Sequence, residues 1–232
     1  MVKNILLDMD MTILDFDKAE HQALQRAFEA LGLGFDEGVY QEYHEINKEQ
    51  WRLLEQGLLT RDKLKRRRFE VLFERRKIEI PPEIGAEKYE SLLAGGYDYM
   101  PGAKEMLESL AGKYKLYIVS NGSSQIQHSR IAGAELEPYF DGIYISEDIG
   151  FNKPDKAFFE QCFRDIKEKS KEDLCLEETV LIGDSLTSDI QGGKNAGVRT
   201  IWFHPKGMIA GEIKPDYEIT DLGEVSELLQ RI

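Results

Sequence analysis

The chain has 232 residues, of which 41% are hydrophobic and 31% are charged. That length is enough for one sizeable hydrophobic core with a smaller second domain, and the composition excludes disordered and fibrous proteins. The formal net charge of -13 opposes binding to a polymeric nucleic acid, whose phosphate backbone is also negative. A small anionic substrate would therefore need a local group of positive charges.

Two further features narrow the class of protein. No apolar run approaches the roughly 20 residues that cross a bilayer, and the segment that ends at Asp8 is too short and too acidic for a signal peptide. We therefore expect a cytoplasmic protein without a membrane partner. The two cysteines, Cys162 and Cys175, lack the close spacing of a zinc site or a redox pair and are interpreted as structural.

Short apolar runs typical of buried strands recur along the chain, and helical patterns separate most of them. This alternation predicts an α/β fold with a doubly wound, Rossmann-like parallel sheet that is covered by helices on both faces. The predicted strands are residues 4–8, 115–119, 142–145, 179–183 and 198–202, and the predicted helices lie near residues 102–112, 123–133, 154–167 and 188–196.

The first two predicted strands are separated by about a hundred residues, whereas connections in such a core are usually a few residues long. This interval is rich in helix formers with apolar residues three and four apart, as in Leu24, Ala27, Phe28 and Leu31. We expect residues 17–96 to form an inserted helical cap domain, and residues 1–16 and 97–232 to form the core.

Four polar motifs follow predicted strands, and ligands of parallel α/β sheets bind beyond the carboxyl ends of the strands. Each polar residue alone could simply close a strand or cap a helix. Together they supply a nucleophile, cation ligands, neutral hydrogen-bond donors and a positive charge, which are the requirements of phosphoryl transfer. The motifs are DMDMT with Asp8, Asp10 and Thr12; SNG with Ser120, Asn121 and Gly122; FNKPD with Lys153; and GDSLTSD with Asp184 and Asp189.

In this order the four motifs resemble those of the haloacid dehalogenase (HAD) superfamily of phosphohydrolases, and the resemblance covers nearly the whole chain. It implies that Asp8 is the nucleophile that forms an aspartyl phosphate and that Asp10 is the general acid and base. It also implies a magnesium ion, because anionic carboxylates around a phosphate need a counter-cation with a preference for oxygen. The implied magnesium ligands are Asp8, the backbone carbonyl of Asp10, Asp184 and Asp189.

The remaining motif residues are expected to bind the phosphoryl group. Backbone amides and a hydroxyl at the start of a helix can donate hydrogen bonds to phosphoryl oxygens, and a lysine can stabilise their charge. The expected phosphate-binding residues are Thr12, Ser120, Asn121, Gly122 and Lys153, the last of which also has a catalytic role. One departure from the family pattern is Met11, where many relatives have glycine.

The type of reaction is narrowed by the second aspartate. Asp10 favours ester hydrolysis over carbon–halogen substitution, because the latter needs no proton at a leaving oxygen. A phosphomutase shares both Asp8 and Asp10, so a sugar-phosphate phosphatase or phosphomutase remains an alternative. A non-catalytic binding or regulatory relative is a further alternative, against which the intact acidic motifs and Lys153 argue.

The predicted cap carries the sequence YHEINKEQWRLLEQGLLTRDKLKRRRFEVLFE, which resembles bacterial pyrimidine 5′-nucleotidases that clear noncanonical nucleotides. Nucleoside 5′-monophosphates are therefore the expected substrates. Asn47, Lys48 and Trp51 are expected nearest the nucleoside, since tryptophan can stack on a base, although a buried structural tryptophan is the alternative.

The cap also contains a basic cluster, which either attracts an anion or forms a solvated helix face. Its members are Lys63, Lys65, Arg66, Arg67 and Arg68. The four histidines show no spacing typical of metal ligands and are assigned no chemistry. The oligomeric state, monomer or homodimer, stays open.

Overall fold

A parallel sheet of six strands is the centre of one of two units in the computed structural model, which describes residues 1–171, 173–204 and 211–232. The unit with the sheet, called the core unit below, comprises Met1–Phe16 and Tyr97–Ile232. The other, called the helical unit, comprises Asp17–Gly96. Among the described residues, no helix has the length and apolar character to cross a membrane.

The strands in chain order are β1 (Asn4–Leu7), β2 (Lys115–Ser120), β3 (Gly142–Ile145), β4 (Thr179–Gly183), β5 (Arg199–Phe203) and β6 (Tyr217–Ile219). Their order across the sheet is β3-β2-β1-β4-β5-β6, and each neighbouring pair is parallel. The chain thus builds outward from β1 in both directions, and the predicted doubly wound α/β class is confirmed. The sequence did not predict β6, which has only three residues, of which Glu218 is exposed.

Helices flank the strands in the core unit and make up the helical unit. In chain order they are α1 (Phe16–Ala30), α2 (Glu37–Glu55), α3 (Arg61–Arg76), α4 (Pro82–Leu93), α5 (Ala103–Leu110), α6 (Ser124–Gly133), α7 (Ser146–Ile149), α8 (Lys156–Ser170), α9 (Gln191–Ala196) and α10 (Val225–Arg231). The helix predicted at 188–196 is wrong at its start, because a π-helical turn, Leu186–Ile190, precedes α9. In this turn the amide of Ile190 donates to the carbonyl of Ser185, five residues earlier in the chain.

The core of the sheet unit lies on both faces of the strands. Successive residues of a strand point to opposite faces, and accordingly Ile5 and Leu7 join one apolar cluster while Leu6 joins the other. The second cluster includes Cys162 of α8, which is fully buried, whereas Cys175 is exposed and both thiols are free. Because β1 is buried on both sides, the residue that follows it is held by a rigid strand.

The helical unit has its own core of aromatic and aliphatic side chains. Phe69 and Phe73 of α3 pack against Gly85 of α4, where a Cβ atom would lie 2.7 Å from Phe73. The ring of Tyr43 on α2 lies 5.2 Å from that of Tyr89 on α4, measured between centroids. Close helix packing of this kind needs a small residue at the crossing point, which Gly85 provides.

Candidate active site

The carboxyl ends of β1, β2 and β4 are neighbours at one edge of the sheet, because β1 lies between the other two. Asp8 directly follows β1, Ser120 is the last residue of β2, and Asp184 directly follows β4. The backbone of Asp8 is fixed by a 2.9 Å hydrogen bond from its amide to the carbonyl of Ile182. Parallel pairing thus gathers residues that are more than a hundred positions apart in the sequence.

Lys153 links the acidic residues at this edge. Its Nζ donates to Asp8 Oδ1 at 2.7 Å, to Asp189 Oδ1 at 2.6 Å and to the carbonyl of Val119 at 2.7 Å. The side chain is buried, with 1% exposed. Burial alone would lower the pKa of Lys153, but the charges of Asp189 and Asp8 outweigh it and raise that pKa, so the ammonium stays charged.

Three carboxylates crowd around this single lysine. Oxygen atoms of Asp8, Asp184 and Asp189 lie within 4.8 Å of one another. Burial, together with the charge of Asp189, raises the pKa of Asp8 to about 8. Burial and the charges of Asp8 and Asp189 likewise raise the pKa of Asp184 well above its ordinary value. The donor set fits a magnesium ion, because hard oxygen ligands suit it and its charge would offset the repulsion.

The loop after β4 is anchored from three directions. The amide of Ser185 donates to Asp189 Oδ2 at 3.0 Å. Gly183 lies so close to this carboxylate that a Cβ atom there would be 2.3 Å from the same oxygen. The indole of Trp202 on β5 donates to the carbonyl of Asp184 at 2.6 Å, which holds the backbone of that residue. Glycine at position 183 is therefore required by the approach of Asp189.

The Ser120 hydroxyl has a defined orientation. Its oxygen accepts from the amide of Gly122 at 3.2 Å and from Nε2 of Gln127 at 2.8 Å. Since these two donors occupy its lone pairs, its own proton is directed to a further acceptor. An anionic oxygen beyond the sheet edge would be such an acceptor, and the phosphate-binding role of Ser120 stays a prediction.

The side chain of Asn121, at the end of β2, is hydrogen-bonded to the loop that contains Lys153. Its Nδ2 donates to the carbonyl of Lys153 at 2.8 Å, and its Oδ1 accepts from the amide of Lys153 at 2.8 Å. The side chain of Asn121 therefore positions Lys153, and contact of the backbone amide of Asn121 with phosphate stays a prediction. Thr12 is fully buried, and its Oγ1 has no hydrogen-bond partner within the described part of the chain.

Two residues that the sequence did not single out contact Asp10. Arg130 Nη1 donates to Asp10 Oδ1, and Gln127 Nε2 donates to Asp10 Oδ2 at 2.7 Å. Both lie on α6, three residues apart, so they share one face of the helix. The sequence contained that spacing, but nothing in it indicated which face of the helix turns toward β1.

The backbone at Met11 explains the family preference for glycine at this position. Met11 has a φ of 61°, in the left-handed region that glycine adopts without steric cost. Its amide donates to the carbonyl of Leu14 at 2.8 Å, which closes the tight turn after the acidic pair. The departure from the family pattern thus leaves the turn formed, at the cost of local strain.

The three residues predicted nearest the nucleoside have different environments in the helical unit. Asn47 is buried, with Nδ2 donating to Glu20 Oε1 at 2.7 Å and Oδ1 accepting from Arg68 at 3.2 Å. Lys48 is exposed, and Trp51 is half-buried with the guanidinium of Arg61 above its ring at 5.5 Å. Contact of these residues with a nucleoside stays a prediction, and Asn47 already has two partners inside the unit.

Acidic residues offset much of the basic cluster on α3. Arg66 forms ion pairs with Glu70 at 2.7 Å and with Glu83 at 2.9 Å. Arg67 also pairs with Glu70, at 3.2 Å, and the buried Arg68 pairs with Glu90 at 3.0 Å. This pairing favours the interpretation of a stabilised helix surface over that of an anion trap.

His44 lies close to acidic residues that are distant from it in the sequence. His44 Nδ1 lies 2.6 Å from Oε2 of the buried Glu20, and ligand atoms of Asp17, Glu20 and His44 lie within 4.8 Å of one another. The hydrogen bond to Glu20 raises the pKa of His44 and outweighs burial, which lowers it. Nothing in the sequence indicated this group, because its members come from two helices.

The order and geometry of these residues agree with a known family. A model of haloacid dehalogenase-like hydrolases matches residues 5–203, a span that contains every core-unit residue discussed in this section. The chain belongs to the haloacid dehalogenase-like hydrolase family. The resemblance predicted from the four motifs is thereby confirmed, and the protein is a hydrolase by descent.

Relatives of this haloacid dehalogenase-like hydrolase match it over nearly its whole length. YfnB of Bacillus subtilis, described as a HAD hydrolase, is 38% identical over 98% of this chain and 95% of its own. The crystal structure of YfnB bound to magnesium has a TM-score of 0.91 at 37% identity and covers 98% of both chains. The pyrimidine 5′-nucleotidases PynA of Streptococcus pneumoniae and YjjG of Escherichia coli are 37% and 32% identical, over 99% and 97% of this chain and 95% and 96% of their own.

Proposed function

We propose that the protein is a magnesium-dependent phosphatase that hydrolyses nucleoside 5′-monophosphates, with a preference for pyrimidines, through a phosphorylated Asp8. The observation that carries the proposal is the arrangement of Asp8 at the end of the central strand, with Lys153 at 2.7 Å and Asp10 two residues further on. A nucleophile, a fixed positive charge and a second carboxyl group for proton transfer are the groups that phosphate ester hydrolysis requires.

In the first half of the reaction, an Asp8 carboxylate oxygen forms a bond to phosphorus while the bond from phosphorus to the sugar oxygen breaks. Asp10 transfers its proton to that departing oxygen, so that the nucleoside leaves as a neutral alcohol. The Ser120 hydroxyl and the backbone amides that follow it donate to the phosphoryl oxygens. The ammonium of Lys153 stabilises the negative charge shared by Asp8 and the phosphoryl group.

In the second half, water hydrolyses the aspartyl phosphate. Asp10, now ionised, accepts a proton from the water as the water oxygen forms a bond to phosphorus and the bond from phosphorus to Asp8 breaks. Inorganic phosphate leaves, and Asp10 is again protonated for the next cycle. One carboxyl group thus serves both steps, first as acid and then as base.

Asp8, Asp184 and Asp189 are the residues that would hold the magnesium ion. When bound, the ion supplies charge neutralisation, which lets an anionic carboxylate approach an anionic phosphate. The chemistry of the donor set supports this assignment, because three crowded carboxylates with one lysine leave excess negative charge in a buried place.

The proposed substrate class follows from two sources. PynA and YjjG, which match this chain from end to end, are named pyrimidine 5′-nucleotidases. The cap sequence that resembles such enzymes spans α2 and α3 of the helical unit, and its INKEQW segment lies on α2. Both support a nucleoside monophosphate over a sugar phosphate, which is the second candidate.

A phosphate-release assay tests the proposal directly. The panel comprises UMP, dTMP, CMP, AMP and GMP together with hexose and triose phosphates, each measured with magnesium and again with a chelator in excess. We expect the largest kcat/KM with a pyrimidine nucleotide and loss of release with the chelator. A sugar phosphate as best substrate would contradict the nucleotidase assignment, and release that persists without divalent cation would contradict the metal requirement.

A further inference from the structure

The side chain of Asp10 is held from one helix by two donors. Oδ1 accepts from Arg130 and Oδ2 accepts from Gln127 at 2.7 Å, and both donors lie on α6. Because each carboxyl oxygen has its own donor, the plane of the carboxyl group is fixed as well as its position. Asp10 itself remains 29% exposed, so the group that is held still faces the open edge of the sheet.

The two donors are themselves fixed. Arg130 is fully buried and Gln127 is 2% exposed, which is unusual for such long polar side chains. Arg130 Nη1 also donates to Gln127 Oε1 at 3.0 Å, and its guanidinium lies over the ring of Phe16 at 5.7 Å. Groups locked by packing and by hydrogen bonds to one another can impose an orientation on a third group.

Gln127 also connects Asp10 to the expected phosphate-binding residues. Its Nε2 donates to Ser120 Oγ at 2.8 Å as well as to Asp10. Gly122 leaves room for this amide, since a Cβ atom there would lie 2.2 Å from the Gln127 side chain. The proton-transfer group and the phosphate-binding hydroxyl are thus tied to the same amide nitrogen, which sets the distance between them.

We propose that Arg130 and Gln127 are positioning residues that hold the Asp10 carboxyl group for proton transfer to and from the reacting oxygens. This inference rests on the proposed function, because it needs an ester whose leaving oxygen takes a proton. Proton transfer demands hydrogen-bond distance between the acid and that oxygen, so an Asp10 released from its two donors would transfer the proton less often.

The leaving group distinguishes positioning of the acid from a merely structural role. The 5′-oxygen of a nucleoside is a poor leaving group and needs a proton as the phosphorus–oxygen bond breaks. The p-nitrophenolate ion is a good leaving group and departs without one. Misplacing Asp10 should therefore slow nucleotide cleavage far more than cleavage of p-nitrophenyl phosphate, whereas general damage to the site slows both.

The experiment compares the first half-reaction of the two esters. Enzyme in excess is mixed with either the best nucleotide or p-nitrophenyl phosphate, and release of nucleoside or nitrophenol is followed by rapid quench in a single turnover. The variants are Arg130→Met, Arg130→Lys and Gln127→Met, with Asp10→Asn as the reference for lost proton transfer. The control is Arg199→Met, which removes an arginine at the start of β5, the opposite end of the sheet.

For Arg130→Met we expect a loss of about 100-fold with the nucleotide, at the lower end of what general acid catalysis contributes, and a loss of less than about fivefold with p-nitrophenyl phosphate. Arg130→Lys should recover part of the nucleotide rate, because it retains a charged donor. Gln127→Met should show the same selective loss, and Arg199→Met should show none with either ester.

Equal losses with both esters, or an unchanged nucleotide rate in Arg130→Met, would overturn the inference. If Arg130→Met does not fold, which a thermal melt reveals, then Arg130→Lys and Gln127→Met decide by the same ratio. The proposed function is judged separately on the wild-type protein. If that protein cleaves a sugar phosphate and no nucleotide, the nucleotidase assignment fails and the ratio is measured with that sugar phosphate.

Discussion

Buried polar residues occur in both units of the molecule, but they are arranged differently. In the core unit, the buried charged residues Asp8, Lys153 and Asp189 meet at one edge of the sheet. In the helical unit they form a chain of hydrogen bonds between helices: Glu20 of α1, Asn47 of α2, Arg68 of α3 and Glu90 of α4 are linked in that order. The first arrangement crowds three carboxylates around one lysine, whereas the second separates its two carboxylates by an amide and a guanidinium.

The surroundings of a buried charge determine how it can be interpreted. Along the chain of the helical unit, each acceptor has a donor and the positive guanidinium lies between neutral and acidic partners, as stability requires. At the sheet edge, three carboxylates share one lysine, which raises the pKa of Asp8 and Asp184. A bound cation can offset the excess negative charge of such a buried site. Buried charge that lacks enough opposite charge therefore indicates a functional site better than burial alone does.

The first prediction concerns the carboxylates at the sheet edge of the core unit. Asp8→Asn removes the nucleophile, and we expect turnover of the best phosphomonoester to fall by on the order of 10⁴-fold or more, as for other enzymes that lose their nucleophile. Steady-state phosphate release measures the loss. The matched control is Asp165→Asn on α8, whose half-buried carboxylate pairs with Lys169 and accepts from the Tyr144 hydroxyl, and this variant should leave turnover unchanged. Retained activity in Asp8→Asn would refute the aspartyl-phosphate mechanism.

The second prediction concerns pH and the imbalance of charge. The pKa of Asp8 is about 8 in the folded state against an ordinary 3.8, so the folded protein binds more protons than the unfolded one between these values. The free energy of unfolding of the metal-free protein should therefore fall as pH rises from about 4 to about 8, with a contribution from Asp8 that approaches about 1.4 kcal/mol per pH unit.

Chemical denaturation of the wild-type protein and of Asp8→Asn across this pH range measures that contribution as the difference between the two curves. Magnesium should flatten the wild-type curve, because the ion favours the ionised carboxylate. A difference that does not change with pH would show that Asp8 is ionised in the folded state without a cation, and that the imbalance described above is absent.

The third prediction tests the helical side. Replacing Asn47 by Leu leaves Glu20 and Arg68 each without one partner in the interior, and we expect the free energy of unfolding to fall by about 2 kcal/mol.

Trp51→Ala should instead raise the KM for nucleotides about tenfold if the ring stacks on the base, with little change in stability. Denaturation and initial-rate kinetics on both variants separate the two roles. A large rise in KM for Asn47→Leu with no loss of stability would reverse our comparison of the units.

The fourth prediction concerns the turn at Met11, which follows Asp8 and Asp10. Met11→Gly relieves a left-handed backbone conformation that costs about 1 to 2 kcal/mol, but it also gives the unfolded chain more freedom. We expect a net gain in unfolding free energy of up to about 1 kcal/mol and no change in kcat. Thermal melts with and without magnesium measure the gain, and a loss of stability would indicate that the Met11 side chain contributes more by packing than its backbone costs.

The sequence was sufficient for the fold class and for the family, and the reasons are physical. Apolar strand runs such as that before Asp8 show the period and length of a buried parallel sheet, and chain order then gathers the following polar residues at one edge. Strand β6 escaped prediction because three residues carry too little pattern. The start of α9 was misplaced because a π-helical turn and an α-helix share the same composition.

The roles of individual site residues stay predictions, and some contacts lay beyond what the sequence indicates. Gln127 and Arg130 contact Asp10 from α6, but the spacing of two polar residues on a helix does not say which element that face meets. The link between His44 and Glu20 joins two helices whose register the sequence leaves open. Contacts between residues at strand ends are therefore easier to predict from the sequence than contacts made by a helix face. Strand pairing determines which strand ends are neighbours, whereas the orientation of a helix face depends on packing alone.

The position of β1 also bears on how the protein is made. This strand precedes both of its partners in the chain by a long interval: Ile5 pairs with Leu116 of β2 and with Val180 of β4. Contacts so distant in sequence form slowly, whereas the helical unit is continuous and rich in local contacts. During synthesis the nucleophile-bearing strand stays apolar and unpaired until β2, more than a hundred residues later, has been translated, and its second edge stays unpaired until β4 follows. We therefore expect chaperone dependence to reside in the first strand, and a shift of that strand to the end of the chain by circular permutation to reduce it.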